Sequence, residues 1–237
     1  MKRFFLTIGG VICVLGLSVA GLFFYYTLNQ PKAAFWESSI AAFEEEDALA
    51  PPLEGTIIFI GSSSIRFWET LAEDFAPLTV LNRGFGGSHL PHVAHFAPRV
   101  VVPHEPAAVV VYAGDNDFGG WEPKSAEQVF TDLKGMMSFF EAELPSTPIY
   151  YLSIKPSELR WESWPKISKA NVLIESFAAE NDQLTYIDVS SGMIGENGKP
   201  RSELFWYDGL HLSERGYEEW TAIVRPILLN DLGGLSE

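Results

Sequence analysis

The sequence predicts an α/β fold: a three-layer α/β/α sandwich around a five-stranded parallel sheet, preceded by one N-terminal transmembrane helix. Three observations predict it. From Thr56 onward, short apolar runs alternate with longer stretches of helical periodicity. That is the pattern of strands covered on both faces by helices. The chain's 237 residues suffice for one sizeable domain. Finally, an uncharged run from Phe4 to Leu28 directly follows Lys2 and Arg3.

That N-terminal run is long enough to cross about 30 Å of hydrocarbon as a helix. Its flanking positive charge places the N-terminus in the cytoplasm and the remainder outside. The rival is a cleaved signal peptide, with Ser18-Val19-Ala20 as the cleavage site, which would make the protein secreted. Because the apolar run continues through Leu22, Phe23 and Phe24, a retained anchor is the preferred reading. Residues 1–30 are therefore read as the membrane segment, 31–54 as a helix and linker, and 55–237 as the α/β domain.

In order, Ala33–Leu49 reads as a helix with Phe35, Trp36, Ile40 and Phe43 on one face, stopped by Pro51-Pro52. Thr56–Ile60 reads as the first strand, followed by a helix over Ile65–Phe75. Thr79–Asn82 is the second strand, with a helix starting after Pro91. Ala108–Ala113 is the third, followed by a helix over Ser125–Glu143. Thr147–Ile154 and Leu184–Asp188 complete the sheet, with helices over Lys166–Glu180 and Ser213–Leu229. In such sheets ligands sit beyond the carboxyl ends of the strands, so residues just after each strand are the ones to inspect.

Composition narrows the function. A formal net charge of −15 with no basic cluster argues against nucleic acid as a partner. The single cysteine, Cys13, forms no internal disulfide and no zinc site alone. His89, His92 and His95 recur every third residue, but that step drifts about 60° per residue pair around a helix. No carboxylate accompanies them at ligand spacing, so a metal is not expected. His104 reads as structural.

Four turns carry candidate chemistry. Gly61-Ser62-Ser63-Ser64 ends the first strand where a helix begins. A serine there is held at the sheet edge beside a helix N-terminus that favours developing negative charge. It is equally a capping residue, and spacing does not choose among the three serines. Asn82-Arg83-Gly84-Phe85-Gly86-Gly87-Ser88 follows the second strand, with glycines that let backbone N–H groups approach a ligand. Gly114-Asp115-Asn116-Asp117 follows the third, and its asparagine can donate to an oxyanion. In Tyr207-Asp208-Gly209-Leu210-His211, a carboxylate three residues before a histidine can orient its imidazole. Each has a plain alternative in turn and cap chemistry. Their joint occurrence at successive strand ends does not.

Together these blocks resemble the GDSL/SGNH hydrolase family, from about Thr56 to Leu229. One departure stands out: Ser62 occupies the position where the family's first block usually has aspartate. The resemblance implies a flavodoxin-like SGNH hydrolase fold and an ester hydrolase acting through an acyl-enzyme. It implies Ser63 as nucleophile, His211 as base and Asp208 as its orienting group. The implied oxyanion hole is the Ser63 and Gly87 N–H groups with the Asn116 side chain. No metal or organic cofactor is implied. The substrate would be a small-molecule, lipid or carbohydrate ester. An acyltransferase, a carbohydrate deacetylase, or a non-catalytic module binding acylated ligands on the same scaffold are the alternatives. Trp161, Trp164 and Trp206 lie in late loops placed to rim a site, and the Ser153-Ile154-Lys155-Pro156-Ser157 segment after the fourth strand is placed to wall it.

Overall fold

A computed structural model describes residues 32–120 and 122–233. The expected membrane helix lies outside the described residues. Among them, no helix is long and apolar enough to cross a membrane. The chain divides into two compact units, Met1–Glu37 and Ser38–Glu237. The described part of the first carries a single 3-10 turn, Ala33–Phe35.

The second unit holds one parallel sheet of five strands: β1 (Ile57–Gly61), β2 (Val80–Gly84), β3 (Ala108–Tyr112), β4 (Ile149–Leu152) and β5 (Leu184–Ile187). Their order is β2-β1-β3-β4-β5, which puts β1 at the centre of a reversal in winding. All residues of β1, β3 and β4 are buried, which is why these strands read as continuous apolar runs rather than alternating ones. Helices α1 (Glu37–Leu49), α2 (Ser63–Arg66), α3 (Leu71–Asp74), α4 (Leu90–Val100), α5 (Ala126–Glu143), α6 (Trp164–Ala178) and α7 (Glu214–Leu232) accompany the sheet. Ser125 caps α5, accepting from Gln128 N while the Gln128 side chain accepts from Ser125 N. Ser213 caps α7, its side chain accepting from Gly216 N.

The sequence predicts one helix over Ile65–Phe75; the structure has two short ones. The break at residues 67–70 turns Trp68 inward, where it is 1% exposed and meets Phe59, Phe75, Tyr217 and Trp220. Its indole N–H donates to Asp74 Oδ2 at 2.7 Å, and Thr70 Oγ1 donates to the same oxygen. Burial of a large aromatic with its polar handle satisfied outweighs helix continuity here.

The turn after β1 is packed from below. Gly84 ends β2 against the backbone of α2; a Cβ there would sit 2.2 Å from Arg66 N. Asn82 secures the same join, donating to Ile65 O at 2.6 Å and accepting from Gly84 N at 2.9 Å. From the other side, Tyr217 Oη of α7 donates to Ser64 O at 3.1 Å.

Candidate active site

Three adjacent strands deliver three of the four candidate turns. Ser63 follows β1, Gly87 follows β2 and Asn116 follows β3, so neighbours in the sheet become neighbours at its carboxyl edge. The fourth turn comes from the C-terminal stretch before α7. It is a closed loop: Trp206 N donates to His211 O at 2.8 Å and Gly209 N to Trp206 O at 2.9 Å. Gly209 takes φ +63° to make the turn.

This loop sets His211 against Ser63. His211 Nε2 lies 3.1 Å from Ser63 Oγ, and His211 Nδ1 lies 2.6 Å from Asp208 Oδ2. The other Asp208 oxygen accepts from Leu210 N at 2.9 Å and His211 N at 3.0 Å. Burial works against the charge on Asp208, but the hydrogen bonds from His211 and from these two N–H groups hold its carboxyl below the usual value. The imidazole is packed edge-on against Phe67, with centroids 5.2 Å apart, and lies 5.6 Å from the Trp206 ring. Phe67 and Trp206 also wall a cavity of about 360 Å³ that continues to Leu212 and Tyr217.

Exposure separates the three serines that spacing leaves open. Ser62 and Ser64 are each 2% exposed, whereas Ser63 is half-buried and faces His211. On the neighbouring turn, Gly87 adopts φ +79°, a conformation glycine adopts without strain. Neither the Ser63 nor the Gly87 N–H has a backbone partner among the described residues.

Asn116 is fixed from both ends. Its Nδ2 donates to Ser88 O at 3.0 Å, and its Oδ1 accepts from Arg160 Nη2 at 2.8 Å. Arginine has only donors, so it dictates which end of the amide is oxygen and leaves the second N–H of Nδ2 for a ligand. Arg160 is anchored in turn on Asp115 Oδ1 at 2.5 Å, while the buried Lys155 donates to Asp115 Oδ2 at 2.6 Å. Burial opposes the charge on Asp115, yet Arg160 and Lys155 together hold its carboxyl far below the usual range. The result is a buried cluster with two cations and one carboxylate directly behind Asn116.

Arg160 is the residue the sequence does not reveal. It lies 44 residues beyond Asn116 with no local pattern. A lone lysine at the end of an apolar strand, Lys155, is the one available signal of the cluster. Asp117 points away from this cluster. It accepts from Lys124 Nζ at 2.6 Å and from Leu90 N at 3.2 Å, anchoring the start of α4. His89 and His92 serve the same helix start, His89 N donating to His92 Nδ1 at 3.1 Å. Among the described residues, no group of three His, Cys, Asp or Glu side chains converges to hold a metal. Of the three late tryptophans, Trp206 (41% exposed) stands at the site. Trp161 and Trp164 stack on each other, 6.0 Å apart and nearly parallel. Around the Asp208 loop, Tyr207 and Leu159 are also strongly exposed.

The GDSL-like Lipase/Acylhydrolase family matches residues 60–219. Human platelet-activating factor acetylhydrolase IB subunit alpha1 is 29% identical over 185 residues, covering 74% of this chain and 76% of its own. Among solved structures, one from Streptococcus pneumonia aligns with a TM-score of 0.75 at 21% identity, covering 90% of this chain and 99% of that chain. A GDSL-like lipase from Bacteroides thetaiotaomicron aligns at 0.69 and 22%, covering 86% and 100%. These two alignments show the shared fold. With the family match spanning all four candidate turns, the chain belongs to the GDSL-like lipase/acylhydrolase family and is a hydrolase acting on ester bonds.

Proposed function

We propose that the protein is a serine esterase that cleaves carboxylic esters through an acyl-enzyme formed on Ser63. The observation that carries this is the continuous relay from Ser63 Oγ through His211 to Asp208, at 3.1 and 2.6 Å. In the first half-reaction His211 Nε2 takes the Ser63 proton as Oγ attacks the ester carbonyl, then returns it to the leaving alcohol oxygen. In the second, the same nitrogen takes a proton from the water that attacks the acyl-enzyme, then gives it to Ser63 Oγ as the acyl–Oγ bond breaks and the acid leaves. Asp208 holds Nδ1 protonated and stabilises the imidazolium.

The tetrahedral oxyanion is held by the Ser63 and Gly87 N–H groups and by Asn116 Nδ2. Removing one such donor typically costs about 10²–10³ in turnover. Asn116→Ala is therefore expected to lower kcat on 4-nitrophenyl acetate by about 10²-fold or more, with KM little changed. A kcat within about threefold of the parent would remove Asn116 from the oxyanion hole.

Labelling with a fluorophosphonate tests the nucleophile directly. Peptide mass spectrometry is expected to find the adduct on Ser63, with activity lost in proportion to labelling. An adduct on Ser62 or Ser64, or full labelling with full activity, would overturn the reading. The uncharged run behind Lys2 and Arg3 supports a domain tethered at a membrane and facing away from the cytoplasm. The acetylhydrolase named among the relatives makes acetyl esters the first substrates to try.

A further inference from the structure

Arg66 has no part in the chemistry above, yet it stands beside it. It follows Ser63 by three residues in α2, which brings the two side chains to one face of the turn. A methyl group built on Gly86 would lie 3.3 Å from Arg66 Nη1 and 3.7 Å from Ser63 Cβ. The guanidinium and the nucleophile thus bracket the glycine that precedes Gly87. The side chain is exposed, with Cζ over the Phe67 ring at 5.5 Å. Phe67 in turn touches His211.

A solvated arginine needs no explanation in itself. Arg83, Arg99, Arg160 and Arg201 are each held on carboxylates, whereas Arg66 is set apart by standing beside Ser63. Arg66 has no ion pair among the described residues, although Glu46 and Glu69 line the same cavity of about 480 Å³. In a chain of net charge −15, anions are repelled from most of the surface. Beside Ser63, the exposed Arg66 guanidinium is a cation without an ion pair among the described residues, and so is open to an anionic ligand.

The direction of the leaving group decides what that site meets. If His211 Nε2 protonates the departing alcohol, the alcohol lies along the wall that His211 shares with Phe67, and Arg66 stands on that wall. We propose that Arg66 is a specificity-determining residue that binds an anionic oxygen group, phosphate or carboxylate, on the alcohol portion of the ester. The proposal rests on the serine-esterase reading of Ser63 and His211. A planar guanidinium suits both anions through paired N–H donors, which a lysine does not reproduce.

The test compares esters that share an acetyl group and differ in the charge of the alcohol: 4-acetoxybenzamide, 4-acetoxybenzoate and 4-acetoxyphenyl phosphate. The full-length protein, Arg66→Gln and Arg66→Lys are assayed on each, with Ser63→Ala alongside. Arg66→Gln is expected to lose about tenfold in kcat/KM on at least one anionic ester, mainly through KM, and to stay within about twofold on the amide. Arg66→Lys should recover only part of the loss. Raising salt from about 0.05 to about 0.5 M should shrink the parent's advantage on the anionic ester, since an exposed charge is screened. The larger loss between the two anions names the preferred group. Equal losses on all three esters, or no loss on either anion, would overturn the proposal. Turnover surviving in Ser63→Ala would instead overturn the esterase reading beneath it.

Discussion

Replacing Ser63 with alanine is expected to lower kcat on acetyl esters by roughly 10⁵–10⁶-fold, with the melting temperature changed by no more than a few degrees. The magnitude follows from how triads work: the members act as a unit, and losing the nucleophile removes nearly the whole of their joint contribution. The structure explains why stability is spared. Ser63 is only half-buried and its Oγ meets His211 alone, so no buried donor is orphaned. Ser62 and Ser64 give the opposite expectation. Both are 2% exposed, so their truncation disturbs packing more than turnover. What remains in Ser63→Ala is water attack helped by the oxyanion hole. Asp208→Asn should fall about 10⁴-fold, because the amide no longer holds the productive imidazole tautomer. Steady-state rates beside a thermal melt decide the matter: a Ser63→Ala enzyme within about a hundredfold of the parent would place the nucleophile elsewhere.

The second large effect is on stability. Asp115→Ala is expected to cost about 3–5 kcal/mol, because it strands Lys155, 1% exposed, without its counter-charge. For a domain of this size that corresponds to a fall of roughly 6–20 °C in Tm. Pairing it with Lys155→Met should restore part of the loss, since replacing both ions with apolar groups is far cheaper than breaking the pair. Turnover should fall as well, because Arg160 loses its anchor and Asn116 its fixed orientation. An Asp115→Ala protein that melts with the parent would show that the cluster is not what holds this end of the sheet.

The same carboxylates set the acid limit of the fold. Asp115, Asp117 and Asp208 all have depressed folded-state values. Such groups add stability that is fully present above the ordinary carboxyl value of about 3.9 and is lost as pH falls through their lower folded values. Urea midpoints should therefore be flat from neutral pH to about 4.5 and fall steeply below about 4. The Asp115→Ala, Lys155→Met pair should show a shallower acid slope.

Much of this molecule is legible in its sequence because the strands of its sheet are short apolar runs with turn residues on either side. All five appear within a few residues of their expected places. The strand from Thr147 to Ile154 is shortened to Ile149–Leu152, and α6 begins at Trp164, before the Lys166 expected, because Pro165 suits a first helical turn. The helix over Ile65–Phe75 fails for a reason no local pattern carries: the core around Phe59 and Trp220 needs Trp68 to point inward. The site divides in the same way. Asp208 and His211 are joined by a turn of three residues, so their partnership is local and readable. Which serine is exposed, and which cation fixes Asn116, depend on contacts between distant elements.

The order of the turns along the chain has a consequence for synthesis. Ser63, Gly87 and Asn116 are made first, on the turns that follow β1, β2 and β3. Asp208 and His211 arrive on the loop before α7, and Tyr217 and Trp220 of that helix close the core beneath Ser63. His211 is thus added by the same event that completes the fold. Under the proposed mechanism, a chain still emerging from the ribosome therefore holds Ser63 before the imidazole that would deprotonate it is in place.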